Sequence, residues 1–379
     1  MTNFGRVALI TGGAGFIGRA TGSLLIEKGW RVIALDILDP QIHGGVTPEM
    51  PDGVELIVGD VLDGELLSEL IPSVDSVLHL AARTGVGQSM YDIAKYVETN
   101  IAGTASLLER LIRGSQRIQR LVVASSRAVY GEGAYRCDQC GGVCPTVRSA
   151  SQLEHGIWDV LCPVCRNPVT PSPTHESKPL SPGSIYAITK RDQEEMCLCV
   201  GRAYGIPTLA LRYFNVYGEG QPLNNPYTGV IPAFASHVLA GKQAEVYEDG
   251  MPLRDFVHVN DIAAANVLAL ESEVTDSLAI NIGAAEPITI LEAASLITSV
   301  LGGEKPPTIS GKYRIGDTRH CYGDTKLAES ILSYRPSVSF NDGIRGMADW
   351  LKDQYQQDNS HIASSALEAL GLLRSASVS

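Results

Sequence analysis

The sequence predicts an α/β fold, a doubly wound parallel sheet joined to a smaller mixed α/β region, and three observations carry that expectation. Short β-branched and apolar runs alternate with helix-length segments through the first 125 residues. A glycine-rich turn links the first run to the first segment, and a cysteine-rich stretch interrupts the alternation before it resumes. Continuous apolar runs fit strands buried on both faces, and alternation with helices makes such a sheet parallel and covered on both sides.

In chain order, the expected strands are Val7–Thr11, Arg31–Asp36, Val54–Val58, Ser76–Leu80 and Leu121–Ser125. Between about Ala134 and Thr174 the pattern breaks into Cys, Pro, Gly and polar residues with no sustained period, which marks an insertion. Helical character resumes from about Pro182 to Tyr204, and Thr208–Tyr213 reads as another buried strand. This predicts a dinucleotide-type domain over residues 1–213 that carries the insertion 134–174, a mainly substrate-binding domain over 214–352, and a tail over 353–379. In the tail, Ile362, Leu367, Leu370 and Leu373 allow one amphipathic helix.

The 379 residues are 44% apolar and carry a formal net charge of −12, which suits a globular chain and lacks the basic footprint that nucleic acid or an anionic membrane requires. No apolar run of membrane-spanning length occurs. The N-terminus runs directly into a strand without a signal-peptide pattern, so the expected location is the cytoplasm.

The first strand runs into Gly12-Gly13-Ala14-Gly15-Phe16-Ile17-Gly18, which opens a helix-length segment. Gly13, Gly15 and Gly18 satisfy GxGxxG, and Gly12, Gly15 and Gly18 satisfy GxxGxxG. Absent Cβ atoms let the turn close, let amides reach a pyrophosphate and let the helix pack on the strand. A bare glycine turn would show the same residues, but Asp36 ends the second strand, where a carboxylate accepts hydrogen bonds from a ribose and repels a 2′-phosphate. The sequence therefore points to a Rossmann-type site for NAD rather than NADP. Asp60-Val61 after the third strand and Leu80-Ala81-Ala82 after the fourth lie at strand C-terminal ends, where ligands of such sheets bind. Asp60 also suits a helix N-cap, and His79 suits a packed strand histidine.

Tyr186-Ala187-Ile188-Thr189-Lys190 places a phenol and an ammonium at i and i+4 of a helix, on one face. A neighbouring Lys⁺ favours tyrosinate, which makes Tyr186 a candidate base. Ser126, in Ser125-Ser126-Arg127-Ala128-Val129-Tyr130-Gly131, follows the fifth strand and sits where its hydroxyl can bridge a substrate and the tyrosine.

These segments, with Arg212-Tyr213-Phe214-Asn215-Val216-Tyr217-Gly218, resemble the extended short-chain dehydrogenases, specifically their NAD-dependent nucleotide-sugar epimerase/dehydratase family, over nearly the whole chain outside the insertion and tail. The resemblance implies that Tyr186 is the base, that Lys190 holds the tyrosine and the nicotinamide ribose, and that Ser126 assists proton transfer. It implies cofactor contacts from Gly12, Gly15, Phe16, Ile17, Gly18, Asp36, Asp60, Val61, Leu80, Ala81, Ala82, Asn100, Ser125 and Tyr213. It also places Asn215, Arg254 and Arg319 on the nucleotide-sugar diphosphate, although either arginine could instead pair with Asp255 or Asp317. Family dehydratases carry an acidic pair after the Ser/Thr, whereas this chain has Arg127-Ala128, so the implied reaction is epimerisation. Tyr186 takes a 4-hydroxyl proton as hydride leaves C4, and the sugar turns before hydride returns.

Cys137-x2-Cys140 and Cys162-x2-Cys165 give the two-knuckle spacing of a zinc-ribbon-like element, whose four thiolates close a tetrahedral shell around structural zinc. Cys144 is a candidate substitute ligand. An insertion of this kind resembles the dTDP-L-rhamnose 4-epimerase subgroup, which implies dTDP-L-rhamnose and dTDP-6-deoxy-L-talose as substrates. The alternatives are a UDP-sugar such as UDP-glucuronate, or a non-catalytic NAD-binding scaffold with a zinc interaction module. By analogy with the family, a homodimer would form through segments near 89–113 and 182–204.

Overall fold

The structure is a computed structural model that describes residues 5–114, 118–223, 225, 227, 229–355, 358 and 360–376. Met1–Phe4 and parts of the tail, Gln356, Gln357, Asn359 and Ser377–Ser379 among them, lie outside the described residues.

Seven parallel strands form the central sheet. From one edge to the other they run Leu278–Ile282, Thr208–Tyr213, Arg120–Ser126, Ser76–His79, Val7–Thr11, Arg31–Asp36 and Val54–Val58. The order reverses direction beside Val7–Thr11, which opens a crevice at the strand C-termini, the place where ligands of doubly wound sheets bind. Alternate side chains reach opposite faces of each strand. Ala8, Ile10, Val122 and Leu211 pack under helices Phe16–Glu27 and Val259–Glu271. Leu9, Leu121, Val123 and Ala210 pack under Gly64–Leu70, Gly103–Arg113 and Ile185–Tyr204.

The long helix Ile185–Tyr204 starts and stops where its sequence dictates. Ser184 caps it by accepting from the Ala187 amide at 3.2 Å, and Gly205 ends it in the left-handed region at φ 65°.

A second layer gathers around Leu253–His258, which pairs parallel with Asn215–Tyr217 and with His320–Cys321, and antiparallel with Pro287–Thr289. The strand Leu278–Ile282 comes from the same stretch of chain yet completes the large sheet. Asp255 ties the layer together: its buried carboxylate accepts from the amides of Ala284, Ala285 and Gly323 at 2.8–3.2 Å.

The insertion is a three-stranded antiparallel sheet with Ala134–Cys137 in its centre, flanked by Gly141–Val143 and Thr170–Ser172, plus a helical turn at Ala150–Glu154. In the tail, helix Ser360–Ala369 is followed by Leu373–Ser375, which pairs antiparallel with Lys312–Arg314. Leu373 thus lies in a strand beyond the helix. No helix among the described residues is long and apolar enough to cross a membrane.

Candidate active site and metal centre

A single cleft of about 950 Å³ runs from the Gly12–Gly18 turn past Tyr186 to the tail. At its first end, helix Phe16–Glu27 begins at Gly15 with no side-chain cap and no acidic residue in its first turn, so its amides remain available to an anion. Gly12 has φ 70°, and a Cβ there would lie 2.8 Å from the Ala81 amide nitrogen, so the turn and the Leu80-Ala81-Ala82 segment touch only because the side chain is absent. The Asp36 carboxylate accepts from the amides of Ala14 (3.1 Å) and Leu38 (2.9 Å) and faces the cleft, with His43 Nε2 at 3.6 Å. Phe16, Ile17, Asp60, Val61, Ser125 and Tyr213 also line the cleft. Asp60 does both things its position allows, since its Oδ1 also accepts from the Leu62 amide at 2.9 Å. An uncapped helix start, a glycine cradle and a ribose-level carboxylate together fit a dinucleotide.

Ser126 and Tyr186 come together at the C-terminal end of Arg120–Ser126. The tyrosine hydroxyl lies beside the Ser126 side chain, whose Oγ accepts from the Ala128 amide at 3.1 Å. Burial pushes the phenol up, while the Ser126 side chain and the nearby Arg127 charge pull it down. One helical turn on, Lys190 is buried and donates to Gln193 Oε1 at 2.9 Å. Burial lowers its ammonium to about 8, against the opposing pull of Cys197 and Glu194.

Not every expected residue reaches the cleft. Asn100 lies behind the cleft wall in the π-helical turn Val97–Ala102. Its Oδ1 accepts from the Arg83 amide at 2.7 Å, and its Nδ2 donates to the Arg83 carbonyl at 3.1 Å and to Thr189 Oγ1 at 2.9 Å. It therefore couples the loop after the fourth strand to the helix that carries Tyr186.

Arg319 is placed differently. Its guanidinium is 2% exposed and pairs with Glu248 (3.0 Å), Asp249 (2.6 Å) and Asp159 (2.9 Å), and of this cluster Glu248 lines the cleft. Arg254 does line the cleft, but it pairs with Asp317 at 3.4 Å and donates to the carbonyls of Leu253, Thr318 and Arg319. Asn215 also lines the cleft, with a buried Oδ1 that has no partner among the described residues.

Three groups escaped the sequence reading. Arg127 lines the cleft beside Tyr186, and among the described residues its guanidinium makes no hydrogen bond or ion pair. Arg314 lines the cleft and lies 5.1 Å over the Tyr247 ring. Behind Ser125, buried Glu194 accepts from Ser125 Oγ at 2.6 Å and from Arg212 Nη2 at 2.5 Å. The arginine of the Arg212–Gly218 segment was the only visible sign of that pair, because its partner sits inside a helix with no local signature.

In the insertion, the sulfurs of Cys137, Cys140, Cys162 and Cys165 all lie within 4.8 Å of one another, with Cys137 and Cys165 at 3.5 Å. Four soft donors converging from two turns fit one tetrahedral thiophilic ion. Cys144 is exposed and stands outside the cluster.

The family described as NAD dependent epimerase/dehydratase matches residues 8–147 and 164–283, and the gap falls within the insertion. The chain is 35% identical over 361 residues to the dTDP-L-rhamnose 4-epimerase of Burkholderia thailandensis, covering 94% of this chain and 97% of that one. It is 30% identical over 363 residues to the UDP-glucose 4-epimerase of Halalkalibacterium halodurans, covering 91% and 95%. Among solved structures, the UDP-glucuronic acid 4-epimerase of Bacillus cereus in complex with UDP-glucuronic acid and NAD superposes with a TM-score of 0.74 at 26% identity, covering 92% of this chain and all of that one. With its central sheet, glycine turn and Ser–Tyr–Lys constellation in place, the chain belongs to the NAD-dependent epimerase/dehydratase family and is an enzyme of its nucleotide-sugar epimerase class.

Proposed function

We propose that this enzyme is a nucleotide-sugar 4-epimerase that uses NAD and acts on a dTDP-6-deoxyhexose, interconverting dTDP-L-rhamnose and dTDP-6-deoxy-L-talose. The observation that carries the reaction type is the cleft itself: Ser126, Tyr186 and Lys190 converge there, while Arg127-Ala128 stand where dehydration needs an acidic pair. The relative that shares 35% of its residues favours the deoxythymidine nucleotide.

NAD, when bound along the glycine turn and Asp36, supplies a reversible acceptor for hydride. The chain's own residues do the rest. Tyr186 removes the proton from the sugar hydroxyl and later returns it, and Ser126 bridges the two oxygens. Arg127 supplies positive charge that favours tyrosinate against the cost of burial, and Lys190 stands one helical turn away. Asn215 offers an unpaired oxygen to a substrate donor, and Arg254 offers charge to the diphosphate.

Unpaired Arg127 also favours a second reading, in which the sugar carries a carboxylate, as UDP-glucuronate does. Proton NMR of the enzyme with dTDP-L-rhamnose, and separately with UDP-glucuronate, distinguishes the two. New H4 couplings in the first sample alone support the proposal; new couplings in the second alone overturn the nucleotide and sugar assigned.

Zinc in the four-cysteine cluster fits a structural role, because four thiolates leave no position for substrate. Exposed Met90, Ile93 and Val97 form an apolar stripe beside helix Gly103–Arg113, which supports a homodimer closed through this face.

A further inference from the structure

The last described segment of the chain, residues 360–376, lies outside the stretch that the family matches, and it is not a free tail. Leu367 is buried at the Gly87 turn, where a glycine Cβ would come within 3.2 Å of its methyl group. Leu373–Ser375 pairs with Lys312–Arg314, and the Ile315 amide donates to the Leu372 carbonyl at 3.0 Å. Arg374 reaches Glu154 of the insertion at 3.2 Å, and Glu368 meets Lys312 at 3.4 Å. The segment thus touches the dinucleotide half, the substrate half and the insertion at once.

Its inner surface is part of the cleft. Ser364, Ser365, Leu367 and Leu372 line the same cavity as Tyr247 and Arg314, with the Ser364 and Tyr247 hydroxyls 3.4 Å apart. That mixture of hydroxyls, apolar walls, an aromatic ring and a guanidinium suits a nucleoside diphosphate, whose flat base needs a slot and whose phosphates need charge.

We propose that residues 360–376 form the roof of the nucleotide-sugar compartment and bind the nucleoside diphosphate portion of the substrate directly. The inference rests on the nucleotide-sugar reading and adds a binding wall that the catalytic motifs do not include.

The test uses the NAD-loaded protein with dTDP and UDP as probes in calorimetry, and compares the full chain, a chain ending at Tyr355, and Ser364→Trp, which places a bulky ring in the cleft from the roof. Both variants should retain NAD and bind the preferred nucleotide at least about tenfold more weakly, and the shortened chain should show a raised KM with kcat changed less. Unchanged nucleotide affinity in Ser364→Trp, with its unfolding midpoint intact, overturns the roof while leaving the epimerase reading standing. Failure of the full chain to bind either nucleotide overturns both.

Discussion

At Tyr186 the chain's own electrostatics are divided: burial opposes the phenolate, and Ser126 and Arg127 favour it. Tyr186→Phe keeps the ring and removes the proton carrier, so kcat should fall by roughly 10² to 10⁴ with NAD retention unchanged; turnover within twofold of the parent would remove Tyr186 from the chemistry. Lys190 offers a test through stability. Its folded value of about 8 lies below the ordinary 10.5, so between these limits the unfolded chain binds more protons than the folded one, and stability attributable to this residue rises with pH. Lys190→Met should therefore gain stability relative to the parent at pH 7 and lose that advantage by pH 10.5, as read by denaturant midpoints at both. Tyr186 with Lys190, and the glycines, were legible because spacing sets their relative placement on one helix or turn, and Ser126 because it ends an apolar strand. The surroundings of Arg319 were illegible because a local motif shows the arginine but not the acids, Glu248, Asp249 and Asp159, that tertiary contact brings to it.

Among elements, the insertion was legible in its cysteines and illegible in its strands. Strands of three and four residues, such as Gly141–Val143 and Ala134–Cys137, are too short to display a period, and Tyr135, Cys137, Val143 and Cys162 make a core too small to order them alone. The metal is expected to supply the missing stability. Cys140 is the informative ligand to change, because it is exposed and packs in no core. Cys140→Ser should reduce bound zinc from one per chain and lower the unfolding temperature, checked by elemental analysis and calorimetry. Equal zinc content in variant and parent would remove Cys140 from the site. The seventh strand, Leu278–Ile282, was hidden for another reason: Asn281 interrupts its apolar run, and only the fold shows that buried Asn281 bonds Tyr130 and the Thr174 carbonyl.

For the whole molecule, the doubly wound order followed from apolar runs spaced by helices, since right-handed crossovers leave few ways to arrange them. What the alternation could not convey is how the outer pieces lock together. A buried network joins Arg148 of the insertion to Glu248 at 2.8 Å, and Arg319 to the same carboxylate, so the insertion and the substrate layer share charges that neither balances alone. Breaking it by Glu248→Ala should cost about 3–5 kcal/mol, chiefly because buried Arg148 loses its bidentate carboxylate partner while Arg319 keeps Asp249 and Asp159. The exposed stripe belongs to this scale too. Ile93→Asp should shift a dimer to monomer in light scattering while NAD retention persists, and a monomeric parent would remove the proposed interface.

The insertion interrupts the connection between the strand carrying Ser126 and the helix carrying Tyr186, so residues 127–184 must close as a loop before the two catalytic oxygens meet. Each doubling of a flexible loop adds about 0.6 kcal/mol to its closure. An ion joining Cys137 to Cys165 removes much of that contour from the search. Renaturation should accordingly be slower when a chelator is present from the start than when it is added after folding is complete, which makes the metal a kinetic aid to assembling a site it never touches.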